Sequence, residues 1–200
     1  MTGDRIALVT GANRGLGRST ALALAVRGVR VVVTHRGDVA GAEETAQQVR
    51  AGGGTAAVVR LDISTNVRGT FFLIQSLVPL LAQGARVINV SSSLTRHTSP
   101  ATSVCSASKA AVEALSRTLA AELGPRGIRV NSIAPGPTAT DFNGGAMRDD
   151  AEMRQGLAGQ TALGRVGEPE EIGEAIATLA SDGLHWMTAQ RIEVSGGALL

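Results

Sequence analysis

Lysine occurs once in this chain of 200 residues, at Lys109, and tyrosine does not occur at all. Four positions before that lysine stands Cys105, the single cysteine. The segment 105–123 is predicted helical, and residues i and i+4 share a helix face, so a thiol and an ammonium are neighbours. A thiol titrates near about 8.5, and an adjacent ammonium pulls it lower. Cys105 as a small buried hydrophobe is an equally economical reading. Every other basic side chain except the histidines is arginine. A lysine kept here points to a task that needs a compact ammonium whose pKa yields to its surroundings. Upstream, Ser91-Ser92-Ser93 places hydroxyls where a strand-like run ends, and the same triplet also suits a polar strand exit.

A second kind of chemistry needs no side chains. Thr10-Gly11-Ala12-Asn13-Arg14-Gly15-Leu16-Gly17 joins the first predicted strand to the first predicted helix. Glycines let backbone approach a pyrophosphate, and the helix N-terminus offers free N–H groups and a positive dipole end. A Walker loop has four residues between its glycines and a Lys after the second. Here five residues separate Gly11 from Gly17 and Arg18 follows, which excludes it. Where the second strand ends, Thr34-His35-Arg36 presents no carboxylate for a ribose 2′-hydroxyl. Arg14 and Arg36 could instead hold a 2′-phosphate, since Arg binds phosphate bidentately. The alternative is that both are ordinary solvated charges.

These residues must be carried by elements. Strands are predicted at 5–10, 29–34, 56–61, 86–91, 128–133 and 190–194. Helices are predicted at 15–27, 39–51, 67–82, 105–123, 149–156 and 168–181. Continuous apolar strands alternating with helices indicate a parallel sheet covered on both faces. The fold class expected is α/β: a Rossmann-like, doubly wound parallel sheet in three α/β/α layers with about six strands, forming one domain over 1–200. Gly28, Gly52 and Gly124 are expected to close helices in the left-handed conformation. Pro169 suits a first helical position, and Asp149-Asp150 a helix N-terminus.

The turn's Thr-Gly-x-x-x-Gly-x-Gly spacing, Ser92, and Cys105-Ser106-Ala107-Ser108-Lys109 resemble the short-chain dehydrogenase/reductase family, whose catalytic segment reads Tyr-x-x-x-Lys. The resemblance covers nearly the whole chain, with its motifs in order. It implies NAD(P)-dependent hydride transfer between a carbonyl and an alcohol, with NADP(H) favoured over NAD(H). By that likeness the cofactor would meet Gly11, Asn13, Arg14, Gly15, Leu16 and Gly17 at its phosphates, and His35 and Arg36 at the adenosine ribose. Asp62 and Ile63 would lie by the adenine, although Asp62 could equally cap a helix. Lys109 would bond the nicotinamide ribose. Pro135, Gly136 and Thr138 would face the carboxamide side, and Thr140 a phosphate. Ser92 would orient the substrate oxygen and Asn66 a relay water, while Cys105 occupies the place of the family's proton-donating Tyr. Losing a general acid typically costs about 10²–10⁴ in rate. The alternative function is therefore a catalytically impaired member that serves as a nucleotide-binding or assembly module.

Three further matches and departures matter. Residues 141–166 are similar to the family's substrate lid. Val194-Ser195-Gly196-Gly197 resembles its closing strand and turn, but Ala189 stands where Gly is common. Only three residues separate Asp62 from Asn66, where the family places a helix, a strand and a turn. A βαβ unit takes roughly 30 residues, so one unit is missing. Either strand 86–91 moves in beside the first strand or the sheet is gapped.

Composition excludes other classes. Formal charge is +2 and aromatics are 2% of residues, with arginines scattered, which argues against nucleic acid. No apolar run reaches a membrane span. One cysteine allows no internal disulfide, so a cytoplasmic location is expected. His35, His97 and His185 lack metal-ligand spacing, and no Gly-x-Ser-x-Gly elbow marks a hydrolase. The expected partners are a small carbonyl or alcohol substrate and further copies of the chain, as homodimer or homotetramer.

Overall fold

The computed structural model describes residues 5–35, 37–60 and 66–200. It is an α/β Rossmann-like fold of six parallel strands with flanking helices. The chain groups into two compact units, and each carries a three-stranded parallel sheet.

The first unit comprises Met1–Asp62, Thr138–Gly159 and Arg165–Thr178. Its sheet runs β1 (Ile6–Val9), β2 (Arg30–His35), β3 (Ala56–Arg60) in that order. Helices α1 (Gly15–Val26) and α2 (Val39–Ala51) link the strands. Central β2 buries Val31 and Val33 almost completely, as a parallel strand covered on both faces should. β1 pairs with β2 alone among the described residues and leaves Ile6 62% exposed. Later segments add α5 (Ala146–Asp149), α6 (Ala151–Ala158) and α7 (Pro169–Leu179). Pro169 opens α7, where its missing N–H costs no bond. Gly173 lets α7 approach α1, since a Cβ there would lie 2.7 Å from Ser19 backbone.

The second unit comprises Ile63–Pro137, Gln160–Gly164 and Leu179–Leu200. Its sheet runs β4 (Arg86–Val90), β5 (Arg129–Pro135), β6 (Arg191–Val194), with α3 (Asn66–Leu77) and α4 (Ser103–Leu123) between the elements. Every residue of β5 is buried, including polar ones. Arg129 donates to the carbonyls of Leu184 and Ser181 (2.6 and 3.0 Å). Asn131 donates to Met187 O and accepts from Gln190 N (3.1 and 2.9 Å), so these burials leave the groups satisfied. Ile74, Leu119, Ala120, Leu123, Ile128 and Val130 form the core under α3 and α4. Each fully buried aliphatic side chain contributes roughly 1.5–3 kcal/mol.

Several expectations are corrected. Of the two arrangements left open for strand 86–91, pairing beside the first strand is not found among the described residues: β4 pairs with β5, and the six strands fall into two ladders. Gly28 does take φ +73°, but Gly52 (φ −79°) and Gly124 (φ −54°) do not turn left-handed. Gly52 is the C-cap of α2 and Gly124 begins a 3-10 turn after α4, and the left-handed residues are Gly53 and Gly127. The predicted helix 149–156 divides at Asp150, whose extended backbone ends α5. Its side chain accepts from Met153 N (3.0 Å) and caps α6. Ala189 sits at φ +60°, a conformation unfavourable to any residue with a Cβ.

Candidate functional site

In the first unit the reactive surface is backbone. Gly11 and Gly15 take positive φ (+63° and +51°), and Ala12 N donates to Thr34 O (3.0 Å), tying the turn to β2. Gly17 allows α1 to lie on the turn, because a Cβ there would sit 2.3 Å from Gly11 O. Arg14 is the extended N-cap of α1 and makes no side-chain cap bond. The first N–H groups of α1 therefore remain free of a capping side chain and suit an anion. Leu16 is half-buried on the first turn of α1. Asn13 donates from Nδ2 to Asp38 Oδ2 (2.9 Å). Thr138 and Thr140 are buried, and Thr140 would be in ordinary contact, 3.6 Å, with a Cβ on Gly15. Gly15, Arg18, Ser19, Thr140, Asp141, Arg148 and Glu170 contribute to one cleft beside this helix start. His35 is buried at the end of β2, and its Nδ1 has no partner among the described residues. Arg36, Asp62 and Ile63, each expected at the cofactor, lie outside the described residues.

Arg18 is a residue of the cradle that sequence reasoning missed. It donates to Asn13 O (2.8 Å), Thr45 Oγ1 (3.0 Å) and both oxygens of Glu44 (3.1 and 2.9 Å). One guanidinium thereby clamps the glycine turn to α2. Its partners on α2 are more than twenty residues away in sequence, so no local spacing announces them.

In the second unit the reactive groups are side chains. Lys109 and Cys105 lie one turn apart on α4, both half-buried. Lys109 Nζ donates to Val90 O (2.8 Å) at the end of β4. Burial lowers the Lys109 pKa, and Cys105 partly opposes that shift. Asn66 opens α3 and donates to Ser108 Oγ (3.2 Å), which brings it beside the residue preceding Lys109. Ser92 caps a short 3-10 turn by accepting from Leu94 N (3.3 Å). Pro135 ends β5, and the next residue, Gly136, donates its N–H to Val194 O (3.0 Å). A Cβ on Gly136 would lie 2.6 Å from Ser195, so only glycine lets these strands' ends meet. The structure thus groups Asn66, Cys105 and Lys109 about α4 and places Ser92 just beyond β4.

Glu113, also missed from sequence, supports this group. It is buried on α4 one turn beyond Lys109 and accepts from Ser91 Oγ (2.5 Å), Thr95 Oγ1 (2.7 Å) and Arg191 Nε (2.9 Å). Arg191 also pairs with Glu193, which accepts from Arg96 Nη2 (2.8 Å). Arg96 holds Glu193 well below the ordinary carboxylate range, at about 2, against an opposing effect of burial, with Ser195 and Arg191 adding. Among the described residues no three His, Cys, Asp or Glu side chains gather as a metal site, and no helix is long and apolar enough to cross a membrane.

Parallel strands, a glycine turn at an open helix start, and a Lys-bearing helix beside a serine-capped strand end define a nucleotide-binding oxidoreductase class. Comparison with known proteins narrows this. Residues 5–65 match the short chain dehydrogenase family model, and residues 62–198 match a model described as enoyl-(acyl carrier protein) reductase. An uncharacterized oxidoreductase of Methylorubrum extorquens is 33% identical over 240 aligned positions, covering 96% of this chain and 97% of that protein. An NADPH-dependent aldehyde reductase-like chloroplastic protein of Arabidopsis thaliana is 30% identical, covering 96% and 93%. Among solved structures, the promiscuous reductase LugOII, which catalyses keto-reduction at C1 in lugdunomycin biosynthesis, superposes with TM-score 0.93 at 31% identity, over 98% of each chain. The angucycline C-6 ketoreductase LanV with bound NADP gives 0.91 at 30% identity, over 98% and 95%. The chain belongs to the short-chain dehydrogenase/reductase family of NAD(P)-dependent oxidoreductases. The residues present fit that cofactor's pyrophosphate. The uncapped start of α1 and the close backbone approach at Gly17 make the cradle it needs.

Proposed function

We propose that this chain is an NADP(H)-dependent carbonyl reductase or alcohol dehydrogenase whose proton-donating position is altered. The observation that carries the reading is the start of α1, free of a side-chain cap and backed by Gly11, Gly15 and Gly17. When bound, the nicotinamide supplies or accepts a hydride. Arg14, exposed at the helix cap, and Arg36 would hold a 2′-phosphate. Thr138 and Thr140 would add contacts beside the helix start. Lys109, anchored on Val90 O, would present its remaining donors to the ribose. Ser92 accepts from Leu94 N and keeps a hydroxyl proton to direct at a substrate oxygen, and Asn66 would order a relay water near Ser108. The named activities of the Arabidopsis protein and of LanV and LugOII support a carbonyl substrate and the phosphorylated cofactor.

Cys105 stands in the family's Tyr position, and a thiol ends nearer the backbone than a phenol. A unit is missing after Asp62. The alignment to the Methylorubrum protein spans 240 positions against 200 residues here, so at least 240 − 200 = 40 have no counterpart in this chain. The two family matches also meet at residues 62–65. These two departures favour a second reading, an impaired member that binds nucleotide or assembles without turnover. We place the protein in the cytoplasm as a homodimer or homotetramer acting as one dinucleotide-binding domain.

Titration with NADPH and NADH, followed by hydride transfer with a panel of carbonyls, tests both readings. The first expects tighter NADPH binding and measurable reduction. Binding without turnover selects the second. A folded sample that binds neither nucleotide overturns both.

A further inference from the structure

We propose that Lys109 is a nucleophilic amine that captures aldehydes covalently as an imine, with no nucleotide required. The proposal concerns the lysine of the hydride-transfer reading but does not rest on that reading. Lys109 is the one side chain here that can become a free primary amine. The other basic chains, apart from the histidines, are 19 − 1 = 18 arginines, and a guanidinium keeps its proton in proteins. A lysine ammonium releases its proton where the surroundings disfavour charge, and the free amine attacks carbonyls.

The structure withholds the partner that would keep Lys109 charged. Glu113 lies one turn further along α4, where an acid ordinarily pairs with a lysine. Its carboxylate is spent elsewhere, accepting from Ser91 Oγ (2.5 Å), Thr95 Oγ1 (2.7 Å) and Arg191 Nε (2.9 Å). Arg18, Arg27, Arg50, Arg165 and Arg191 each meet a carboxylate at 2.6 to 2.9 Å. Lys109 makes no ion pair among the described residues, and its Nζ donates to a neutral acceptor, Val90 O (2.8 Å). That bond uses one N–H and leaves the lone pair of the free amine unengaged. Burial lowers the pKa of the group further, and Cys105 alone opposes it.

The amine is sheltered without being sealed. Lys109 and Cys105 are half-buried, Val90 is 39% exposed, and Val104 at the start of α4 is 83% exposed. In the step itself the Lys109 lone pair forms a C–N bond to the aldehyde carbon. The carbonyl π pair moves to oxygen, which gains a proton as the nitrogen loses one. The oxygen then leaves as water while C=N forms, and the nitrogen gives up its second hydrogen through solvent. Amine and aldehyde become imine and water, and nothing is oxidised or reduced. An unhindered aldehyde is the class expected, because a ketone brings a second substituent to a half-buried nitrogen.

The test incubates the full chain, free of nucleotide and at neutral pH, with propanal and cyanoborohydride, which fixes an imine as a stable secondary amine. Intact mass and peptide mapping locate and time the adduct. Nα-acetyl-lysine amide in the same solution reports an ordinary solvated amine. Lys109 is expected to react about tenfold faster than this reference, as burial enlarges its free-amine fraction. In denaturing urea it should fall to the reference rate. Lys109→Arg keeps the positive charge and should carry no adduct at position 109. A Lys109 rate at or below the reference in the folded chain, or an advantage that survives unfolding, would overturn the proposal. Since no nucleotide is present, that failure leaves hydride transfer standing, and a chain that binds no nucleotide leaves imine capture standing.

Discussion

In the unit built on β1, β2 and β3, the surface offered to a ligand is main chain. In the unit built on β4, β5 and β6, it is a set of side chains on α4 and the ends of strands. The first depends on what is absent at Gly11, Gly15 and Gly17, and the second on what is present at Asn66, Ser92, Cys105 and Lys109. A backbone cradle tolerates change in the residues around it so long as the glycines stay. A side-chain constellation loses its chemistry with one substitution while its scaffold stands. Cys105, proposed to stand in the family's Tyr position, lies on the second kind of surface, where a loss of activity would leave folding and nucleotide binding intact.

The strongest way to sharpen that contrast is Cys105→Tyr. Supplying a general acid is worth about 10²–10⁴ in rate, so the variant's carbonyl reduction with NADPH should rise on that scale with its NADPH affinity unchanged. No gain in rate would count against Cys105 as the altered position and favour the unit proposed to be missing after Asp62. The corresponding break in the cradle is Gly17→Ala. Its Cβ would meet Gly11 O at 2.3 Å, and backbone cannot yield cheaply. A loss of about 1–3 kcal/mol in urea denaturation is expected, with NADPH affinity falling more than about tenfold.

A smaller effect is expected from acid. Glu193 titrates at about 2 in the fold against an ordinary 4.5, because Arg96 bonds its carboxylate. A depressed carboxylate stabilises the fold above the ordinary value, and that contribution disappears as pH falls from about 4.5 toward 2. After solvent screening it amounts to about 1–2 kcal/mol, and Glu193→Gln should flatten the acid limb of a stability profile. The smallest effect is Ala189→Gly. Ala189 holds φ +60° while its N–H bonds Val130 O (2.8 Å), so glycine relieves strain there. A gain of about 0.5–1 kcal/mol in thermal denaturation is expected, and a loss would show that the unfolded-state entropy of glycine dominates.

The elements were largely legible. Apolar runs bounded by Gly and Pro located six strands within one or two residues, because buried parallel strands require continuous apolar side chains. Gly52 and Gly124 misled because a glycine near a helix end does not say which residue turns. That depends on how far the last hydrogen bonds run, and Gly53 and Gly127 take the turn instead. The i, i+4 spacing put Cys105 and Lys109 one turn apart on a helix, and both lie so on α4. Arg18 and Glu113 were not legible, since the partners that matter lie on other elements at distances in sequence that carry no period.

The sequence by itself determined the kinds of surface this protein has. Glycine spacing limits what backbone can do after β1, and residue type limits what chemistry α4 can carry; both are local properties of the chain. Only the tertiary structure decided which charges matter. Whether an Asp caps a helix or also touches the glycine turn, and whether an Arg is solvated or clamped, depends on contacts that form when distant segments pack. Hydrogen bonds of this kind act over about 3 Å, and sequence distance does not constrain them.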